Sequence, residues 1–277
     1  MDSFYMHAIL FTMNDFKNNS SEMMRQVWSK VPEITIYFWI IKVLCTTVGE
    51  TFADFLSETL NLGLTNTTII MGVLLVIALF FQFRSKKYNV GIYWISIVLI
   101  SIFGTLITDN LTDGMGVSLV TTTIVFAVLL VITFIVWYLK EKTLSIHSIV
   151  TRKRESFYWL AILFTFALGT AAGDLISETF NLGYPLAVVL FAVLIAIVAI
   201  GYFKFKWNAV ATFWIAYILT RPLGASIGDY LSQARSDGGL GLGTVITSFV
   251  FLAAILGTTI YLWITKKDSP KMPEQIA

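Results

Sequence analysis

Apolar residues occur along this chain in long blocks that short polar segments separate, from about residue 33 to residue 265. The blocks at 67–83, 118–139 and 187–203 have the length of ~17–25 residues that a helix needs to cross a bilayer. The pattern predicts eight membrane helices, at 33–58, 66–83, 90–111, 118–139, 156–179, 184–203, 207–231 and 243–265. We therefore expect an all-α, polytopic membrane helix bundle.

A fixed spacing of aromatic, glycine and aspartate residues occurs four times. Each copy starts with an aromatic residue and a tryptophan, followed by a glycine ten residues and an aspartate fifteen residues after the tryptophan. The tryptophans are Trp39, Trp94, Trp159 and Trp214. Four copies in register predict four two-helix repeats, paired into two homologous halves.

The repeats divide the chain into an N-terminal extension (1–30), a first membrane half with repeats 1 and 2 (31–145), a second half with repeats 3 and 4 (146–268) and a C-terminal tail (269–277). Met23 is a candidate start of translation, and a surface-lying N-terminal tail is the alternative.

Composition and charge agree with a membrane protein and suggest its orientation. Charged residues make up 13% of the chain, against ~25% in soluble domains. Lysines and arginines lie before the first predicted helix, after the last one and between repeats, whereas the opposite turns contain only Arg235. Short basic loops stay cytoplasmic. We expect four parallel repeats in a bacterial inner (plasma) membrane with both termini cytoplasmic.

Carboxylates recur at corresponding levels of the odd-numbered helices. The repeat aspartates lie ~22 Å beyond their tryptophans, in the outer half of the hydrocarbon layer or at its edge. A carboxylate at the membrane centre costs ~2.5–3.5 kcal/mol, so its presence suggests a function. The eight candidate cation-binding residues are Asp54, Asp109, Asp174, Asp229, Glu50, Glu58, Asp113 and Glu178. For Glu58, Asp113 and Glu178, simple helix ends in outside water are an equal alternative.

Small residues accompany the aspartates. Pairs four residues apart let helix backbones approach closely in lipid. We expect such packing at Gly49, Gly104, Gly169, Gly173, Gly224 and Gly228, which would bring the four aspartates around one axis.

Lys42 and Arg221 are basic residues inside predicted helices. Arg221 is in mid-helix, so an internal acid partner is expected, with Glu50 the candidate. Lys42 is a second candidate for internal charge pairing, although snorkelling to the inner interface is the favoured interpretation for it. The four repeat tryptophans are expected to be interfacial anchors.

Several chemistries lack their residues. The chain has no phosphate-binding loop and one cysteine, Cys45, while His7 and His147 lie outside the predicted helices. We therefore expect no enzyme, no cofactor and no nucleic-acid partner. The expected partners are the lipid bilayer and a divalent cation or a proton. The metal and the oligomeric state are left open.

The repeat resembles a known family. Trp39, Gly49 and Asp54, preceded by the sequence VPEIT at 31–35, resemble a bacterial family of multi-repeat proteins catalogued as uncharacterised membrane-anchored proteins with a repeat of unknown function. The resemblance covers residues 30–265 and implies no activity.

The residues themselves favour one function over two others. Carboxylates are ligands that hard divalent cations prefer. We expect a secondary transporter or exporter of a cation, divalent or proton-coupled, in which protonation of the acids releases the ion. The alternative is an ion- or pH-responsive channel or a non-transporting membrane scaffold. A membrane-embedded lipid hydrolase is the least favoured hypothesis.

Overall fold

A computed structural model describes residues 29–269, without the side chains of residues 178 and 179. The candidate translation start, nearly all of the expected N-terminal extension and all but the first residue of the expected tail lie outside the described residues.

Eight long helices account for most of the described chain. They are α1 (Ile36–Asp54), α2 (Leu64–Arg84), α3 (Val90–Asp109), α4 (Leu119–Glu141), α5 (Arg152–Asp174), α6 (Tyr184–Phe203), α7 (Ala209–Ser232) and α8 (Gly243–Thr265). Each is long and apolar enough to cross a membrane. Residues 29–269 contain no strand. The predicted all-α bundle of eight membrane helices is confirmed.

The odd-numbered helices form a closed inner ring. α1 packs against α3, α3 against α5, α5 against α7, and α7 against α1. Each even-numbered helix packs outside the following odd helix, so α2 covers α3, α4 covers α5, α6 covers α7 and α8 covers α1. More than half of the residues in the central window of each odd helix are buried, against about a fifth in the even helices. The even helices therefore present most of their surface to lipid.

A widened turn follows the repeat aspartate in three of the four copies. The α-helix ends at the aspartate and continues as one π-helical turn at Phe55–Thr59, Asn110–Gly114 and Leu175–Thr179. Single π turns are rare and occur frequently at functional sites. In repeat 4 the helix instead ends at Ser232, and Gln233 is extended.

The turns that follow have the conformation that their residues favour. Asn61 and Asn181 have φ values of 54° and 55°, and Gly63 and Gly183 have φ values of 75° and 76°. Asparagine and glycine tolerate this left-handed region better than other residues. The sequence Asn-Leu-Gly, which repeat 1 has at 61–63 and repeat 3 at 181–183, therefore forms the same turn in both repeats.

The two ends of the bundle differ in chemistry. We call the end with the repeat aspartates the aspartate end, and the end with the inter-repeat lysines and arginines the basic end. At the basic end, Lys30 Nζ donates to Glu155 Oε2 at 2.6 Å and to the carbonyl oxygen of Phe83 at 3.1 Å. The backbone N–H of Lys30 donates to Ile149. The segment before α1 thus ties α2, α5 and the loop between the halves together.

The expectation that the repeat tryptophans are interfacial anchors is wrong for three of them. Trp94, Trp159 and Trp214 are 1%, 3% and 5% exposed and belong to the hydrophobic core. Trp39 alone among the four is half-buried. The reason is that each odd helix has an even helix and two other odd helices beside it, which together enclose most of its surface.

Candidate functional site

The ring brings the repeat acids to one end of its axis. Burial increases inward from the rim: Glu58 and Asp113 are exposed, Asp54, Asp109 and Asp174 are half-buried, and Glu50 and Asp229 are buried. We call Glu50, Asp54, Asp109, Asp174 and Asp229 the acidic cluster. The side chain of Glu178 is not among those described, although its backbone lies in the third π turn.

Three carboxylates of the acidic cluster converge from three helices. One oxygen each of Glu50 in α1, Asp174 in α5 and Asp229 in α7 lie within 4.8 Å of one another. Oxygen atoms at this spacing could share one hard cation with little movement, since such ions take oxygen ligands at ~2.0–2.6 Å. The arrangement is therefore a candidate cation site.

The other two aspartates complete the cluster. Asp54 is close enough to Glu50, Glu58 and Asp113 for their negative charges to act on it. Asp109 similarly interacts with Glu50, Asp54 and Asp174. Like charges this close in a half-buried setting repel one another unless a proton or a cation is shared. The cluster thus contains more carboxyl groups than one buried arginine can neutralise.

Arg221 closes the inner side of the acidic cluster. Its Nη2 atom donates to Glu50 Oε2 at 2.9 Å, to Thr170 Oγ1 at 2.6 Å and to the hydroxyl of Thr105. Its Nη1 atom donates to the carbonyl oxygen of Thr46 at 3.2 Å. Arg221 is completely buried, so these bonds replace part of its hydration, while its Nε atom has no hydrogen-bond partner among the described residues. The expected pairing of Arg221 with Glu50 is present.

The repeat explains this geometry. Glu50, Thr105 and Thr170 all stand eleven residues after their tryptophans, so the three odd helices present them at one level of the axis. Arg221 stands seven residues after Trp214 and reaches that level because its side chain is long. Sequence reasoning missed Thr105 and Thr170 as partners of Arg221, although their shared spacing in the repeat could have revealed them.

The repeat glycines allow the inner helices to approach closely. A Cβ atom added to Gly49, Gly104, Gly169 or Gly224 would lie within 2.7 Å of a side-chain atom of the neighbouring odd helix. The residues that these added Cβ atoms would contact are, in the same order, Ser101, Phe166, Arg221 and Thr46. All four stand seven residues after the tryptophan of their own repeat.

The second glycines of the predicted small-residue pairs are less closely packed. A Cβ atom on Gly228 would lie 3.2 Å from that of Glu50. Gly173 is an exception to the expectation, since its nearest contact would be an ordinary 3.7 Å to Pro222.

Lys42 does not lie where the sequence suggested. It is completely buried rather than snorkelling, and its Nζ atom has no hydrogen-bond partner among the described residues. The Nζ atom lies 4.0 Å from the ring centroid of Tyr217 and 4.5 Å from that of Phe166. Its expected role as a charge partner of an acid is therefore wrong. The cause is the aromatic residues of α5 and α7, which cover this level of α1.

Aromatic residues fill the axis beyond Lys42, toward the basic end. Phe38, Tyr93, Tyr158 and Phe213 precede the four tryptophans and are all buried. The hydroxyl oxygens of Tyr93 and Tyr158 are 2.5 Å apart. The axis is therefore filled from the basic end up to Arg221, and the most exposed acids lie at the opposite end.

Comparison with known proteins identifies the repeat. A family model described as Repeat of Unknown Function (DUF347) matches four times, at residues 37–88, 92–143, 157–207 and 212–268. These matches cover more than half of the chain, which therefore belongs to this family, as its resemblance implied. No curated protein and no solved structure matches the chain.

Proposed function

We propose that this member of the DUF347 repeat family is a secondary transporter of a cation, divalent or proton-coupled. The observation that carries the proposal is the convergence of Glu50, Asp174 and Asp229, whose oxygen atoms lie within 4.8 Å of one another at the inner end of an increasingly buried set of acids. Such clusters inside membrane helices are costly, and their cost falls when they bind a cation or protons.

The filled axis favours a carrier over an open channel. A cation held by the acidic cluster would have to pass Arg221, Lys42 and the aromatic residues to reach the basic end. The buried guanidinium of Arg221 and the packed aromatic rings lie on that route, so passage requires a rearrangement of the ring. A protein that exposes its site to one side at a time works by such a rearrangement.

Arg221 has a defined part in this mechanism. With no ion bound, its guanidinium neutralises Glu50 and holds α1, α3, α5 and α7 together at one level. A divalent cation bound by Glu50, Asp174 and Asp229 takes the same carboxylate, so the ion and the guanidinium compete. Protonation of the carboxylates weakens both interactions and releases the ion. Competition for Glu50 thus couples ion binding to the packing of the ring.

The distribution of charge supports an orientation. Basic residues concentrate at the end opposite the acidic cluster, and short basic loops remain cytoplasmic. We place the protein in a bacterial inner membrane with both termini cytoplasmic. The acidic cluster then faces the outside, and the aromatic layer closes the cytoplasmic side.

Aspartate-to-asparagine substitutions test the proposal. Asp174→Asn and Asp229→Asn keep side-chain size but remove one charge from the site, so divalent cations should stabilise these variants less than the parent. Stabilisation follows RT ln(1 + [L]/Kd), or ~2.7 kcal/mol at a hundredfold excess over Kd. The measurement is the thermal shift of the purified protein with Mg²⁺, Mn²⁺ or Ca²⁺, together with cation flux into proteoliposomes.

Two control substitutions sharpen the result. Asp237→Asn removes an exposed acid from the 3₁₀ turn Arg235–Asp237 at the same end and should leave the shift unchanged. Glu58→Gln at the exposed rim should have an intermediate effect. Equal shifts and equal flux in the parent, Asp174→Asn and Asp229→Asn would refute the proposal.

One observation favours the alternative of a pH-responsive scaffold. Arg221 is paired with Glu50 and with the hydroxyls of Thr105 and Thr170 without a bound ion. In that case protonation of the cluster would change the packing of the ring without net transport. Flux separates the two hypotheses, because a scaffold would show cation- or pH-dependent stability with no cation uptake.

A further inference from the structure

A cavity of about 680 Å³ lies on the flank of the ring, away from the acidic cluster. Its walls are formed by α6 and α1, with α7 as its floor and residues 144–147 at one end. Glu33 and His147 lie at the basic end of this cavity, and the lining toward Leu223 is almost entirely apolar. We call it the flank groove. Its size is in the range of ~300–1,000 Å³ that ligand sites occupy.

The repeat shows why the flank groove exists. α4 and α6 are equivalent helices, each following a π turn, and residues of α4 correspond to residues 65 positions later in α6, as Trp94 corresponds to Trp159. In α4, Phe134 packs on Trp214 with ring centroids 4.9 Å apart. The residue that corresponds to Phe134 in α6 is Ala199, which lines the groove.

Smaller side chains on α6 leave the groove open. Ala199 stands in place of Phe134, and Tyr202, which lines the groove, stands in place of Trp137, which also packs on Trp214. Trp39 of α1 lies beside α6 as Trp214 of α7 lies beside α4. Trp39 is half-buried, whereas Trp214 is only 5% exposed. Trp39 also lines the groove. The space that Phe134 fills between α4 and α7 is therefore available to another apolar group between α6 and α1.

The dimensions of the groove match one leaflet of a bilayer. Along α7 it extends from Ala209 to Leu223, or ~21 Å at the rise of an α-helix. Half of the hydrocarbon layer is ~15 Å thick, and the headgroup region adds the remainder. The polar end of the groove lies at the basic end of the bundle, where helix ends meet water, and its apolar end lies near mid-membrane. This polarity is that of a lipid in its leaflet.

We propose that the flank groove binds one acyl chain of a zwitterionic phospholipid. The acyl chain would lie between α6 and α1 in the position that Phe134 occupies between α4 and α7. Glu33 and His147 are partly exposed, with Glu33 Oε2 and His147 Nδ1 3.9 Å apart. A carboxylate and an imidazole at this spacing complement a headgroup that carries an ammonium and a phosphate. The lipid connects α1 to α6, two helices of different halves, and covers Trp39.

Filling the groove tests the proposal. Ala199→Phe introduces the residue that the equivalent helix uses, and Ala196→Phe adds the same ring to an exposed position of the same helix. With delipidated protein in detergent, phosphatidylethanolamine should raise the melting temperature of the parent and of Ala196→Phe by several degrees. Ala199→Phe should lose most of this shift and should retain less co-purified phospholipid. An undiminished shift in Ala199→Phe would overturn the proposal.

A second measurement does not depend on a substitution that fills the groove. Phosphatidylethanolamine with brominated acyl chains should quench the tryptophan fluorescence of the parent, and Trp39→Phe should reduce the quenched intensity. Equal quenched intensity with and without Trp39 would contradict an acyl chain in the groove.

The headgroup and the source of the occupant are tested separately. Glu33→Gln combined with His147→Gln should reduce the effect of phosphatidylethanolamine to that of phosphatidylglycerol, and a retained preference would refute the headgroup assignment. A stabilisation that requires residues 1–28 and does not respond to lipid would assign the groove to the chain's own N-terminal segment and overturn the lipid proposal.

Discussion

Replacing Arg221 by methionine removes the guanidinium but keeps an unbranched stem against Gly169. Arg221 is fully buried, and the side chain of Glu50 is 7% exposed, so the substitution leaves a carboxylate without its ion-pair partner at 2.9 Å. Removing one member of a buried pair costs ~3–5 kcal/mol. The hydroxyl of Thr105, 3.4 Å from Glu50 Oε2, recovers little of this. We expect Arg221→Met to lower the free energy of unfolding by ~3–5 kcal/mol.

A double-mutant cycle identifies the origin of this loss. Glu50→Gln in the Arg221→Met background removes the orphaned charge and should restore at least ~1.5 kcal/mol, which is within the range for coupled neighbours. The assay is unfolding in mixed micelles by SDS titration, followed by circular dichroism. Arg235→Met, at an exposed arginine, serves as the control and should cost no more than ~0.5 kcal/mol.

The same variant tests competition with the ion. Without the guanidinium, a divalent cation no longer competes for Glu50 and can bind it together with Asp174 and Asp229. Arg221→Met should therefore gain a larger cation-induced thermal shift than the parent. The reasoning fails if Arg221→Met is within ~1 kcal/mol of the parent, or if its effect and that of Glu50→Gln are additive within ~0.5 kcal/mol.

Three further substitutions probe other parts of the fold. Gly224→Ala places a methyl group within 2.5 Å of neighbouring heavy atoms and should destabilise the protein, whereas Gly257→Ala, with open space around it, should be neutral or stabilising by up to ~1 kcal/mol in the same SDS titration. Lys42→Met removes a buried amine without a hydrogen-bond partner and should raise the free energy of unfolding by ~1–3 kcal/mol; a loss of stability would show an unrecognised partner. Cysteine at position 181 should react with an impermeant thiol reagent in intact cells and cysteine at Lys86 should not, and the opposite labelling would invert the proposed orientation.

The sequence was informative where the outcome depends on one segment of the chain or on the register of the repeat. The apolar blocks predict all eight helices, and Asn61 and Gly63 adopt the left-handed conformation that their chemistry favours. The contact between Arg221 and Glu50 could also be predicted, because a mid-membrane arginine needs an acid and the copies set Glu50 at a suitable level. These inferences need only the repeat and the cost of burying charge.

Inferences that depended on neighbouring helices were less successful. The burial of Trp94 and the enclosure of Lys42 by Tyr217 and Phe166 depend on which helices lie beside them, and a repeat pattern does not specify this. The π turns were also missed, since apolar periodicity does not distinguish one widened turn at a helix end. The groove beside Ala199 required both the register of the repeats and the packing order of the outer helices.

The covering of α1 by α8 has a consequence for how the protein is made. Ser248 Oγ of α8 donates to Thr51 Oγ1 at 2.9 Å, and the backbone N–H of Glu33 donates to the carbonyl oxygen of Asp268 at 2.9 Å, so the two ends of the described chain lie side by side. Chains are synthesised from the N-terminus, so α1, which precedes the other seven described helices, is the last of the inner helices to receive its cover. Until residue 265 has been inserted, polar groups of α1 face lipid or a temporary partner. A nascent chain that stops before α8 would therefore leave Thr51 of α1 without its hydrogen bond from Ser248, so a truncation at the C-terminal end would expose polar groups near the N-terminal end.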